Sequence, residues 1–184
     1  MLNIQISLRR WAPALLALVC ACGLSLPSRA AEQLRAGTPA PEFKADADGG
    51  GTMQLSSHLG NVVVLDFWAT WCPPCQKSMP HLASVARAVA GQNVVVLGLC
   101  VMDDRAKFDA WMTRNRASLG PALKFGFDPA GRNPGPSVAS RYFVNGIPTT
   151  CIIDPKGRVA ETIVGYSDGD TRVEAALRKL GVKI

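Results

Sequence analysis

Hydrophobic residues along this chain fall into short dense runs separated by stretches of helical period. Val62 to Trp68 is apolar at six of seven positions, contains β-branched residues and follows Gly60-Asn61, which predicts a strand buried on both faces. Asp66 interrupts that run, where an unpaired carboxylate would be costly. From Pro73 the spacing changes: Met79, Leu82, Ala86 and Val89 recur near the helical period until Gly91, with Pro80 expected to kink the helix. Val94 to Val101 predicts a second buried strand. Asp103 or Asp104 is placed to cap the next helix, on which Phe108, Trp111, Met112 and Asn115 share a face.

On either side the pattern is looser. Glu42 to Ala45 and Met53 to Leu55 flank a turn-rich stretch ending in Gly49-Gly50-Gly51, and predict a β-hairpin after the extended Thr38 to Pro41. Between Gly120 and Gly135, rich in Gly and Pro, Leu123 to Phe127 reads as a short inserted strand. A brief helix near Ser137 to Tyr142 follows. Thr150 to Ile153 and Arg158 to Val164 are joined by the turn Asp154-Pro155-Lys156-Gly157. A last helix starts near Asp168 to Asp170, turns Val173, Leu177 and Leu180 inward and ends at Gly181. The order implies an α/β fold, a mixed central sheet with helices on both faces, an N-terminal β-hairpin and an inserted strand and loop.

Residues 1–31 have the layout of a secretory signal: Arg9-Arg10, an apolar run from Trp11 to Leu26, and Ser28-Arg29-Ala30 as a cleavage site. The mature chain would start near Ala31 or Glu32, leaving residues 32–184 as one domain. An uncleaved anchor fits less well, because the run is shorter than the ~20 residues of a membrane span. A lipid on Cys22 and twin-arginine export are weaker alternatives. Without Arg9, Arg10 and Arg29 the formal charge falls from +6 to +3, and no basic run, internal repeat or Gly-rich phosphate loop suggests nucleic acid or a nucleotide.

The chemistry concentrates in Trp71-Cys72-Pro73-Pro74-Cys75, where strand gives way to helix. Two cysteines at this spacing can form a disulfide or a dithiol, and the helix N-terminus favours a thiolate on the first. A metal clip using Cys72, Cys75 and His81 is the alternative, with copper delivery outside the cytoplasm as its concrete form. A closed zinc site would want a fourth ligand. Haem attachment fails because Gln76 follows Cys75. His58 and His81 otherwise read as solvated or hydrogen-bonded surface groups. Cys100 and Cys151 read as small buried hydrophobes on strands about 10 Å apart, too far for a disulfide.

Asp66 to Cys75, Pro80 and Val144 to Thr149 together resemble the thioredoxin superfamily, and within it the exported TlpA/ResA-like thiol-disulfide oxidoreductases, over about Pro39 to Leu180. The resemblance implies a redox disulfide Cys72–Cys75, with Cys72 as nucleophile and Cys75 as resolving thiol. Asp66 would be the buried carboxylate that takes a proton from Cys75, and Pro148 a cis proline lying against the pair. The Ile147 backbone would pair with an extended substrate, beside Trp71. No cofactor motif is present, so the implied partners are disulfide-containing clients and a membrane thiol reductant of the DsbD/CcdA type. Apocytochrome cysteines, copper-site assembly proteins and general periplasmic disulfides all fit as clients. Two departures matter: Ser78 stands where relatives often carry Glu, and Ala69 replaces the Thr that a peroxidase would need. With Pro73 lacking an N–H and no His between the cysteines, a reductant is expected.

Overall fold

The computed structural model describes residues 34–133 and 135–184, so the expected leader and its processing alternatives lie outside the described residues. The fold is organised by β3 (Val62–Trp68), whose seven residues are all buried. Such a strand must be covered on both faces and paired along both edges. β4 (Val94–Cys100) takes one edge in parallel, in register from Val62↔Val94 to Trp68↔Cys100. β6 (Thr149–Ile153) takes the other edge antiparallel, from Phe67↔Thr149 to Val63↔Ile153.

Outside β4 lie parallel β5 (Leu123–Phe127) and the antiparallel hairpin of β1 (Lys44–Ala47) and β2 (Thr52–Gln54); outside β6 lies β7 (Val159–Val164). The sheet therefore runs β2-β1-β5-β4-β3-β6-β7. The Leu123 to Phe127 strand, expected as an insert, joins the hairpin to the centre of the sheet.

Among the described residues there are four α-helices: α1 (Pro73–Ala88), α2 (Arg105–Leu119), α3 (Val138–Arg141) and α4 (Arg172–Lys179). The crossovers through α1 and α2 step the same way across the sheet, and right-handed crossovers then put both helices on one face. There Val64 and Trp68 of β3 meet Met79 and Leu82, Phe108 and Trp111, and Val173 and Leu177 of α4. The opposite face carries Val63, Leu65 and Phe67 against Phe43, Leu55, Val138 and Tyr142. Helices flank both faces, but unequally: short α3 shares its side with the N-terminal segment. α1 runs past Pro80, whose ring is exposed, to Ala88.

Beneath α2 the indole of Trp68 packs 4.5 Å from Trp111 and 5.8 Å from Phe125, centroid to centroid. Gly98 makes room for this cluster. A methyl group at Gly98 would stand 3.0 Å from the Phe125 ring and 3.4 Å from Trp68 Nε1. We expect Gly98→Ala to destabilise the protein by about 1–3 kcal/mol through overpacking, read as a lower urea midpoint with unchanged slope. An unchanged midpoint would show that the cluster yields.

Candidate active site

A three-residue turn carries the chain from Trp68 to Cys72, the N-cap of α1. Cys72 and Cys75 are joined in a disulfide, with an S–S distance of 2.01 Å. Cys72 is 3% exposed and Cys75 0%, so Cys72 is nearer solvent by a narrow margin. The Cys75 N–H donates to Cys72 Sγ at 3.2 Å. Pro73 and Pro74, the first two helical residues, have no N–H to add.

The Ile147 carbonyl oxygen lies 3.7 Å from Cys72 Sγ, and the Ile147-Pro148 bond is cis. Register accounts for the meeting. Thr149 pairs with Phe67, so the residues just before β6 reach the sheet end from which β3 launches the cysteine loop. Pro148 is buried and Ile147 half-buried, and Trp71, next to Cys72 in the chain, stands 49% exposed.

The cysteine loop is braced from the β4–α2 connection. Trp71 Nε1 donates to the Met102 carbonyl at 2.9 Å, and the Arg132 guanidinium lies over the indole at 5.7 Å. Of the two expected cap candidates, Asp103 is used otherwise: its buried carboxylate accepts the Thr70 N–H at 2.6 Å and the Asp104 N–H at 2.8 Å. Asp104 occupies the N-cap position without making a capping bond, because its carboxylate is drawn to Lys107 at 2.8 Å and Arg132 at 3.4 Å. A pair of acids after a buried strand was the only signal in the sequence for this brace.

Asp66 lies on β3 between Gly98 of β4 and Thr150 of β6, on the face toward α1. It is 1% exposed; Oδ1 accepts the Thr150 hydroxyl at 2.8 Å, while Oδ2 has no protein partner. Burial pushes its carboxyl up to about 7, an effect the Thr150 bond only partly offsets. Asp66 opens on a small cavity with room for about one water. Its walls include Ser78, His81, Pro148 and Tyr166, and the Ser78 hydroxyl donates to the Cys75 carbonyl at 2.8 Å. Of the two uses expected for His81, solvated or hydrogen-bonded, the structure shows the second, with the ring half-buried. Its Nε2 lies 2.7 Å from Glu174 Oε1, with the two side chains only 19% and 17% exposed.

Cys100 and Cys151 are free and buried. Cys100 pairs with Trp68 and Cys151 with Leu65, on opposite edges of β3, and they belong to opposite faces of the sheet. Burial raises both thiols, that of Cys151 to about 12; the nearby Asp103 carboxylate adds to the rise at Cys100. Among the described residues no three His, Cys, Asp or Glu side chains converge as metal ligands.

A sheet of this order, with a CxxC disulfide launched from its central strand, places the molecule in the thioredoxin-like class of proteins. Comparison with known proteins narrows the class. The AhpC/TSA family model matches residues 36–162. Thiol-disulfide oxidoreductase ResA of Bacillus subtilis is 28% identical over 82% of this chain and 81% of its own length. The ResA of Bacillus thuringiensis strain Al Hakam is 30% identical over 81% and 80%. Among solved structures, a Chlorobium tepidum protein provisionally assigned as thiol:disulfide interchange protein DsbE is 28% identical, with a TM-score of 0.70 over 80% of this chain and 99% of its own. The exposed lipoprotein thioredoxin of Streptococcus pneumoniae is also 28% identical, with a TM-score of 0.61 over 75% and 99%. The chain belongs to the AhpC/TSA family and is a thiol-disulfide oxidoreductase of the ResA/DsbE type. Its substrates are accordingly disulfide-containing.

Two outcomes follow from this geometry. Alkylation of the denatured chain beginning at Ala31 should find two thiols before reduction and four after; a second disulfide would contradict the placement of Cys100 and Cys151. The second concerns pH. Native Asp66 holds its proton up to about 7, whereas the unfolded aspartate loses it near 3.8. Between those values the native state binds more protons, so stability falls as pH rises from about 4 to about 7 and is level above. Asp66→Asn abolishes that slope. Its advantage in urea melts should therefore widen over the same window by up to about 1.4 kcal/mol per pH unit, and a difference independent of pH would refute the assignment.

Proposed function

We propose that the protein is exported, matures near Ala31 or Glu32, and reduces disulfides in client proteins outside the cytoplasm. The leader layout of residues 1–31 supports export, and among the described residues no helix is long and apolar enough to cross a membrane. The pneumococcal structural relative is called an exposed lipoprotein, which keeps a lipid on Cys22 as the alternative. Mass spectrometry of the mature N-terminus separates the two.

The observation that carries the direction of electron flow is the poverty of donors at Cys72. A thiolate there has one neighbouring backbone N–H, that of Cys75, because Pro73 and Pro74 supply none. A poorly stabilised thiolate leaves the dithiol energetically high and readily oxidised, the condition of a reductant.

In the reaction, the Cys72 thiolate attacks one sulfur of a client disulfide and expels the other as a thiolate, leaving a mixed disulfide. Cys75, having given its proton to Asp66, attacks Cys72 Sγ. The Cys72–Cys75 disulfide forms, the second client thiolate leaves, and two electrons have passed to the client. The carboxylate of Asp66 is suited to the proton because its burial matches its affinity to neutral pH. The Ile147 backbone and Pro148 would seat an extended client segment beside Cys72, with exposed Trp71 as its flank. A membrane dithiol of the DsbD/CcdA type would restore the reduced state. Apocytochrome cysteines and copper-site assembly proteins are client classes consistent with this chemistry.

Cys75→Ser leaves Cys72 without its resolving partner. Expressed in the cell with its leader, this variant should accumulate disulfide-linked adducts through Cys72 that dithiothreitol releases, and the unsubstituted protein should show a potential in the thioredoxin range of about −270 mV. A potential near the about −120 mV of a strong periplasmic oxidant would reverse the direction. Tight Cu(I) binding without disulfide reductase activity would instead support copper delivery through the same pair.

A further inference from the structure

A proton accepted by Asp66 has to leave again, and Asp66 is sealed from bulk solvent. Its unpartnered Oδ2 and the water-sized cavity mark the way out. Resting on the reading of Asp66 as the proton acceptor for Cys75, we propose that the His81–Glu174 pair is the outer station of that path, passing protons between the Asp66 cavity and solvent.

Groups from every neighbouring element face this space. α1 contributes Ser78 and His81, β6 Thr150, the β7–α4 connection Tyr166 and Asp170, and α4 Glu174 through its bond to His81. Thr150 is committed to Asp66 Oδ1 and the Ser78 hydroxyl hydrogen to the Cys75 carbonyl. Asp170 is held by Arg172 at 2.6 Å, a contact that lowers its carboxyl below the ordinary range. The Tyr166 hydroxyl is moved the other way, raised by burial and by the neighbouring carboxylates of Asp168, Asp170 and Glu174.

That leaves the imidazole. It can accept at one ring nitrogen while donating from the other, and among the described residues only Nε2 is engaged by a protein group. The ring is steadied against Tyr166 at 5.7 Å, and Glu174 Oε2 is buried without a partner, so the carboxylate has capacity to stabilise an imidazolium. The transfer balances: neutral Asp66 gives its proton through one water to His81, the carboxylate is restored, and the imidazolium beside Glu174 releases the proton to solvent. The reverse sequence supplies the proton when the disulfide is reduced.

His81 acts through Asp66 and is a positioning residue, so its test must read more than activity. Single-turnover reduction of a peptide disulfide would be followed against pH for the unsubstituted protein, His81→Gln, Glu174→Gln and Asp66→Asn. We expect His81→Gln to slow exchange about tenfold at pH 7–8, less than a direct acid-base group would, and free imidazole to restore most of the rate to His81→Ala, which vacates the volume of the ring. Glu174→Gln should give a smaller loss, and the redox potential should stay unchanged in all three. Superimposable pH profiles for His81→Gln and the unsubstituted protein, or a loss in His81→Ala that imidazole does not restore, would overturn the proposal. A flattened Asp66→Asn profile beside an unaltered His81→Gln profile would fail the relay and keep the base. No change with Asp66→Asn would fail both. Should His81→Gln not fold, Glu174→Gln decides: a rate and profile matching the unsubstituted protein reject the relay.

Discussion

Burying β3 on both faces and both edges is the constraint on which the rest of the molecule depends. Six apolar side chains at about 1.5–3 kcal/mol each outweigh the few kcal/mol that a neutral carboxyl with one hydrogen bond costs in the same strand. Asp66 is therefore tolerated in the middle of the sheet. Because β4 and β6 fix the register on either side, the end of β3 is a fixed point. The cysteine loop, α1 and the Ile147-Pro148 bond all take their places from it.

The loop itself is held from outside the sheet. Met102 adopts a left-handed φ of 52°, a conformation that costs a non-glycine residue about 1–2 kcal/mol. Its carbonyl receives the Trp71 indole N–H, while the neighbouring Asp103 takes the Thr70 N–H. Arg132 closes the arrangement over the indole and toward both acids. Trp71 is thus presented at the surface, next to Cys72 in the chain, by contacts that fix its ring.

What could be read along the chain was whatever depends on neighbours in sequence. The apolar run of β3 located its strand, the residues Pro73 to Cys75 located the helix start, and Leu123 to Phe127 stood out between glycines and prolines. What could not be read depends on partners far away: Thr150 is 84 residues from Asp66, Glu174 is 93 from His81, and Asp103 is 33 from Thr70. Local pattern offered Asp103 or Asp104 as a helix cap and His81 as a solvated or hydrogen-bonded surface group, without naming the partner of either. Register and crossover direction, which a one-dimensional pattern does not hold, brought Asp103 to Thr70 and His81 to Glu174. The same limit hid the unequal dressing of the two sheet faces, since the four-residue α3 sets no long period.

The two prolines serve structure and chemistry through a single property. Pro73 starts α1 well because its φ is already helical and a first-turn N–H has no partner to lose. The same missing N–H, repeated at Pro74, strips the helix N-terminus of donors that would stabilise a Cys72 thiolate, leaving the Cys75 N–H and the helix dipole. Cys75 is buried below with no charged group bonded to it, and Ser78, one turn on, adds a hydroxyl in place of a charge. Ionisable chemistry is displaced downward to Asp66 and outward to His81 and Glu174, joined by space for about one water. The immediate surroundings of the pair thus hold few donors and no bonded charge, and the ionisable side chains stand one layer further out, a division that lets each be tuned without disturbing the helix start.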